Sequence, residues 1–299
     1  MTPPIVNVLI FKYIKKHSKS IFTCALIYFI WRYFTFTAEE MRASVALSIC
    51  LFANDFALEN KRLKSIVLYV LASMFHTSAI FLVFIPILTF LRFNKVGYIV
   101  IISSFSIGVL LQTLFGDIIE MLSFASRFEE LGSRYEGSAF SEQYLNINGI
   151  ISKLTVYVFY TIYIIQKLRK KSPESNVLRF EPLLLIGVIL SIVSIPLAIV
   201  YRYCHFFDIY FILLYSEYMT QLKTGNYKYN VTHSLKGYIF FFPFLFFVLY
   251  SYNSKVPDSN SLKTYSRYYP YHSVLTKRID TDRESLFSCY NSFYFNERY

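Results

Sequence analysis

The sequence predicts an all-α, polytopic membrane protein, a helical bundle with about seven full spans and one bent or re-entrant helical hairpin over residues 65–93. Of the 299 residues, 55% are hydrophobic and only 16% are charged. The apolar residues fall in long runs that short basic clusters separate, and this is the charge pattern of inter-span loops. The same pattern explains the net charge of +11 as a topology signal, so we expect no nucleic-acid partner.

The first span is predicted over residues 21–36, after a cluster of lysines that places the N-terminus in the cytoplasm by the positive-inside rule. A second run over residues 41–58 leads back to a basic loop. Later runs are predicted over residues 96–115, 149–166, 182–200, 204–222 and 237–252. Residues 1–252 thus form a transmembrane domain, and residues 253–299 form a polar, tyrosine-rich extracytoplasmic tail.

Residues 65–93 do not fit a single span. One straight helix of that length would reach about 40 Å, against a hydrocarbon layer of about 30 Å, and two spans need about 40 residues. A bend at Phe75-His76-Thr77-Ser78 resolves the mismatch. If the segment leaves the membrane on the side where it entered, the basic residues 167–171 face the cytoplasm and the acidic loop 116–148 faces the outside. A single crossing would place the basic residues outside, against the positive-inside rule.

Several polar residues in these runs are candidates for chemistry. Arginines recur near predicted outer helix ends, and each has an ordinary explanation in interfacial snorkelling. Gathered on one face, they would suit a diphosphate group, because guanidinium binds phosphate bidentately. His76 is either a core histidine bonded to a carbonyl or a general base. Asp208 either forms an ion pair with Arg202 or His205, or faces the bundle interior as a functional group.

Short motifs in a fixed order resemble the EpsG family of bacterial membrane proteins in exopolysaccharide and O-antigen synthesis, which are related to Wzy-type polymerases. The motifs are Arg42-Ala43-Ser44-Val45-Ala46, Phe75-His76-Thr77-Ser78-Ala79, Arg134-Tyr135, Arg202 ahead of Phe206-Phe207, Tyr268-Tyr269-Pro270-Tyr271-His272-Ser273-Val274 and Asp282-Arg283-Glu284. The similarity covers about residues 5 to 290.

The resemblance implies a glycosyltransferase-type polysaccharide polymerase that joins undecaprenyl-diphosphate-linked repeat units on the periplasmic side of the bacterial inner membrane, without a metal or other cofactor. It implies a role for His76 as a base or orienting residue, and Asp208, as a charge within an apolar run, is the second catalytic candidate. It also implies that Arg42, Arg134, Tyr135 and Arg202 bind diphosphate or glycan, and Arg32 joins these candidates as another arginine near a predicted outer helix end. The expected partners are the lipid-linked oligosaccharide, the lipid bilayer, and flippase and chain-length regulator proteins.

Two other functions stay open on the sequence alone. A transporter or flippase of a lipid-linked or acidic solute would also use a broken helix and buried charges, for alternating access. An inactive, shortened partner subunit is the other alternative. It is suggested by the resemblance, since family members usually begin with one or two more spans and an acidic, tyrosine-containing outer segment before the part that matches this chain.

Overall fold

The computed structural model describes residues 2–38, 41–114, 150–151, 153–171, 173–197, 200–224 and 246, and every regular element in these ranges is a helix. The first group is α1 (Thr2–His17), α2 (Ile21–Tyr28, continued by a π-helix over Phe29–Ala38), α3 (Met41–Leu58), α4 (Arg62–Phe75), a 3₁₀ helix (Thr77–Phe84), α5 (Ile85–Leu88) and α6 (Lys95–Thr113). The second is a π-helix (Leu154–Phe159), α7 (Tyr160–Lys171), a 3₁₀ helix (Asn176–Phe180), α8 (Glu181–Val193), α9 (Tyr201–Cys204) and α10 (Asp208–Thr224).

The all-helical fold agrees with the prediction, but the number of spans is not confirmed. By length and hydropathy, two described helices could each cross a bilayer, Lys95–Thr113 and Asn176–Val193. The other described runs are shorter, less apolar or interrupted by charges such as Arg32 and Asp55. The predicted outer loop, all but one residue of the last predicted span, and the tail lie outside the described residues.

The segment before residue 21 differs from the prediction, because it is a bundle helix and not a basic lead-in. Val6, Ile10 and Ile14 follow helical spacing and are buried, so α1 presents an apolar stripe to the core. The Tyr28 hydroxyl reaches Asn7 Oδ1 at 3.4 Å, and α1 therefore runs antiparallel to α2. The lysine cluster lies in the last turns of α1 and just after it, and Thr2 begins the helix at its other end.

At one end of the bundle, buried carboxylates join the helices through hydrogen bonds and ion pairs with basic residues. Asp55, near the end of α3, accepts hydrogen bonds from the Tyr13 hydroxyl at 3.0 Å and from Lys16 Nζ at 2.6 Å, and its Oδ2 lies 3.0 Å from His17 Nε2. Arg179 lies 3.7 Å from the same carboxylate. These contacts bring the ends of α1 and α3 together with the start of the Asn176–Val193 helix.

A second carboxylate fastens the basic loops of the other helices at the same end. Glu181 accepts hydrogen bonds from the Phe93 backbone N–H and from Arg169, and Arg169 also donates to the Phe93 carbonyl at 2.7 Å. Lys19 lies 3.3 Å from Glu217 near the end of α10. The end that these contacts define, with the basic residues around it, is called the basic end below, and the other end is called the opposite end.

The segment over residues 65–93 returns to its end of entry. α4 starts at Arg62 beside the Asp55 cluster, and α5 leads to Phe93 beside Glu181. Between them, α4 ends at Phe75, and His76 is extended, with φ −146° and ψ 112°. The next helix begins at Thr77, and α5 contacts both α3 and α4. The helix break therefore lies at the predicted bend, and both arms of the hairpin start or end at the basic end.

Gly108 sets the distance between α6 and α8, and it gives a test of this packing. A Cβ at residue 108 would lie 2.6 Å from Pro196 Cγ and 3.1 Å from Val193 Cα, and a backbone atom cannot move aside as a side chain can. We expect Gly108→Ala to destabilise the protein by about 1–3 kcal/mol through overpacking, measured as a lower Tm in detergent. The control is Val109→Ile, which adds one carbon at an exposed neighbour. Equal Tm values for the two variants would contradict the close approach.

Candidate functional site

A buried carboxylate lies inside the bundle, at the end of α10 that is remote from the basic end. The turn after α9 leads directly into α10, whose first residue is Asp208. A carboxylate is favourable at this position, because the first turn of a helix presents unpaired N–H groups and the positive end of the helix dipole. Asp208 is only 2% exposed, so its charge needs partners from the surrounding helices.

Arg32 supplies the opposite charge. It lies on the π-helix Phe29–Ala38 and is 6% exposed, and its Nε lies 2.6 Å from Asp208 Oδ2. The two atoms are not aligned as a hydrogen bond, so the contact is an ion pair. The guanidinium also lies 4.9 Å from the centre of the Trp31 ring, a cation–π distance.

Tyr157 completes the link between three segments. It lies on the second π-helix, Leu154–Phe159, and its hydroxyl donates to Asp208 Oδ1 at 2.8 Å while accepting from Arg32 Nη2. Arg32 and Tyr157 both come from π-helical turns, which are uncommon and are frequent at functional sites. The aspartate therefore joins the segment after α2, the segment before α7, and α10.

His205 is the remaining partner of the carboxylate. Its Nδ1 lies 3.1 Å from Asp208 Oδ2, and its ring contacts the Tyr201 ring at 4.8 Å, edge to face. With neutral histidine, the Nδ1–H donates to the aspartate, and the Arg32–Asp208 pair carries no net charge. A cluster without net charge is the least costly arrangement in apolar surroundings.

The cavity beside this cluster is small. Its volume is about 10 Å³, roughly what one water molecule needs, and it is not the size of a sugar-binding pocket. The residues around it are Ile10, Tyr28, Arg32, Leu47, Leu51, His205, Asp208, Ile209 and Ile212. Both carboxylate oxygens of Asp208 already have partners. The ion pair of Arg32 and Asp208 thus holds the helices in place and supports the neighbouring surface.

The remaining predicted site residues have different positions. Arg42, the second residue of α3, and Arg202, in α9, are exposed at the opposite end. His76 is half-buried, and its ring lies 6.3 Å from the Phe206 ring in the turn after α9. The structure therefore brings the hairpin bend to the turn that follows the short helix of Arg202. The predicted residues Arg134 and Tyr135 lie outside the described residues.

The sequence left the pairing of Asp208 open, and it did not point to Tyr157, which contacts Asp208, or to Lys153 nearby in the chain. The ion pair is with Arg32, and His205 is the second contact. Tyr157 and Lys153 were not singled out, because a tyrosine in an aromatic-rich run and a lysine near a helix start carry no distinctive pattern. Within the described ranges, no group of three His, Cys, Asp or Glu side chains could hold a metal ion.

The ion pair gives a stability test. Replacing one partner alone, in Arg32→Met or Asp208→Leu, leaves an uncompensated buried charge, and we expect a loss of about 3–5 kcal/mol. The double variant removes both charges and is expected to recover a large part of that loss. The measurement is Tm by fluorescence-detected size-exclusion chromatography in one detergent. Additive effects of the two substitutions would contradict a direct pair.

The family model described as EpsG family matches residues 4–273, which is most of the chain. No curated protein matches, and no solved structure matches.

Proposed function

Since the chain belongs to the EpsG family, we propose that this membrane protein is a polysaccharide polymerase. In the proposed reaction, a growing glycan on undecaprenyl diphosphate is transferred to the sugar hydroxyl of another lipid-linked repeat unit. The bond between the anomeric carbon and the diphosphate oxygen breaks, a bond to the acceptor oxygen forms, and the acceptor hydroxyl loses its proton. The products belong to O-antigen, capsule or exopolysaccharide.

One observation carries the proposal: Arg42 and Arg202 are exposed at the opposite end, away from the basic loops. By the positive-inside rule the basic end faces the cytoplasm, so these arginines face the outside, where membrane proteins carry few basic residues. Exposed guanidinium groups on that side of the membrane suit an anionic substrate. The leaving group is a lipid diphosphate, whose developing negative charge guanidinium groups stabilise.

His76 fits an auxiliary role in this reaction. Helix α4 has 14 residues and rises about 21 Å from the basic end, at about 1.5 Å per residue, so the break lies beyond the middle of a layer of about 30 Å. The contact with Phe206 agrees with this height. An imidazole at that depth is closer to a cavity open to the outside than an imidazole at the midplane. It can accept a proton or orient phosphate.

The same orientation sets the proposed topology in the bacterial inner membrane. With the basic end in the cytoplasm, the loop after α6 and the tail at residues 253–299 face the outside. The Thr2 end of α1 then also points outward. The proposed partners are the lipid-linked oligosaccharide, flippase and chain-length regulator proteins.

The first test is chain extension in cells. In a strain that lacks the gene, plasmid-borne Arg202→Ala or Arg42→Ala is expected to remove long polysaccharide chains and to accumulate single repeat units, at normal protein level. Arg202→Lys is expected to restore little, because an ammonium group does not bind phosphate bidentately. The readout is a polysaccharide ladder on a gel.

The matched control is Arg62→Ala, which removes an exposed arginine at the basic end. It is expected to leave the ladder at wild-type length. Wild-type ladders from both Arg42→Ala and Arg202→Ala would refute the assignment. Loss of all surface glycan in the deletion strain, without accumulated single repeats, would favour the flippase.

A second test addresses topology. Single cysteines replace Lys95 and Lys170 at the basic end and Leu114 at the opposite end, in a Cys289→Ser background, since the three native cysteines of the described ranges are buried. An impermeant maleimide applied to spheroplasts is expected to label residue 114 and not residues 95 or 170. Labelling at residue 95 or 170 would show that the basic end faces the outside. Arg42 and Arg202 would then face the cytoplasm, and their position would no longer support the proposal.

A further inference from the structure

Lys153 is a half-buried cation that the sequence does not single out. It immediately precedes the π-helix Leu154–Phe159, at the opposite end. Its Nζ lies 3.2 Å from both the carbonyl oxygen and Oγ of Ser194, and 4.7 Å from the centre of the Tyr201 ring. Two oxygens and one aromatic face, all neutral, thus fix the position of the ammonium group.

The described part of the opposite end offers this cation no carboxylate. Asp208 is the one carboxylate among the described residues there, and Arg32 already compensates its charge. The other described carboxylates lie at the basic end: Asp55, Glu59, Glu174, Glu181 and Glu217. A partly desolvated ammonium with neutral partners alone is costly, and an anion that arrives as a ligand removes that cost.

The position of Lys153 connects it to the exposed arginine of the same region. Tyr201, over which the ammonium lies, directly precedes Arg202 in α9, and its ring also contacts His205. Lys153 therefore contacts the short helix α9 through Tyr201, and Arg202 is the next residue of that helix. Ammonium binds phosphate as a compact charge with several donors, and guanidinium binds it as a planar fork, so the two groups complement each other on a diphosphate.

We infer that Lys153 is a phosphate-binding residue which, with Arg202, forms an anion site for the diphosphate of the lipid-linked substrate. This inference rests on the proposed function and adds a residue to it. The contact with Ser194 has a structural alternative, because Ser194 caps the C-terminal end of α8 and a cation stabilises the carbonyl end of a helix. That alternative predicts an effect on stability and none on ligand affinity.

The experiment measures binding to the purified full chain in nanodiscs by native mass spectrometry or titration. The probes are farnesyl diphosphate, inorganic pyrophosphate and phosphatidylglycerol. Lys153→Gln is expected to weaken farnesyl diphosphate binding by about tenfold or more, at unchanged Tm, because a charge-assisted hydrogen bond is lost. Lys153→Arg keeps the charge and is expected to retain part of the affinity.

The matched control is Lys167→Gln. Lys167 lies on the same run of helix, and its Nζ lies 5.4 Å from the centre of the Tyr163 ring, so the substitution also removes a lysine from an aromatic face, but near the basic end. It is expected to leave binding unchanged. If pyrophosphate binds as tightly as farnesyl diphosphate, the phosphates account for the affinity. If pyrophosphate binds more weakly, the lipid chain also contributes to the affinity. In either case, the loss of affinity in Lys153→Gln supports the site.

Three results would overturn the inference. Lys153→Gln could bind farnesyl diphosphate like the wild type, it could lower Tm with affinity unchanged, or phosphatidylglycerol could show the same dependence on Lys153. In the first two cases the wild type still binds diphosphate, and the proposed function stands without this residue. If the wild type binds neither diphosphate probe, the proposed function itself fails.

Discussion

The buried Asp208 carboxylate is the constraint on which the arrangement of the opposite end depends. The negative charge of a carboxylate that is 2% exposed must be compensated by partners within the protein. These partners come from separate parts of the chain. Arg32 and Tyr157 contact it from two π-helical turns, and His205 contacts it from the preceding turn. The cluster fixes α10 and therefore the short helix before it, which carries Arg202 on the surface. Rigid support of this kind is what a substrate-binding side chain needs.

The two ends of the bundle use charge in different ways. At the basic end, Asp55, Glu181 and Glu217 each bind basic side chains from other segments of the chain, so the acidic residues there join these segments. Away from that end, the described carboxylate, Asp208, lies inside the bundle with the buried Arg32 as its counter-charge, and Arg42 and Arg202 are exposed on the surface. This asymmetry separates a surface suited to the cytoplasmic side of a membrane from one suited to an anionic ligand.

The sequence predicted the parts of the fold that local pattern and length control. The bounds of α3, Met41–Leu58, match the second predicted run, and the helix break falls at His76, where length required a bend. The helix Thr2–His17 was missed because its lysines hide an apolar stripe of four-residue spacing. The pairing of Arg32 with Asp208 depends on tertiary packing and on the π-helical turns that shift side chains from ordinary helical positions, and no period in the sequence records either.

The most direct test of the central claim, that this protein lengthens lipid-linked glycans, uses the purified chain in liposomes with undecaprenyl-diphosphate-linked repeat units. The measurement is the length distribution of the lipid-released glycans over time. Polymerisation predicts products of two and more repeats and release of undecaprenyl diphosphate in step with each new linkage. Movement of single repeats between leaflets without any lengthening would contradict the account and identify a flippase.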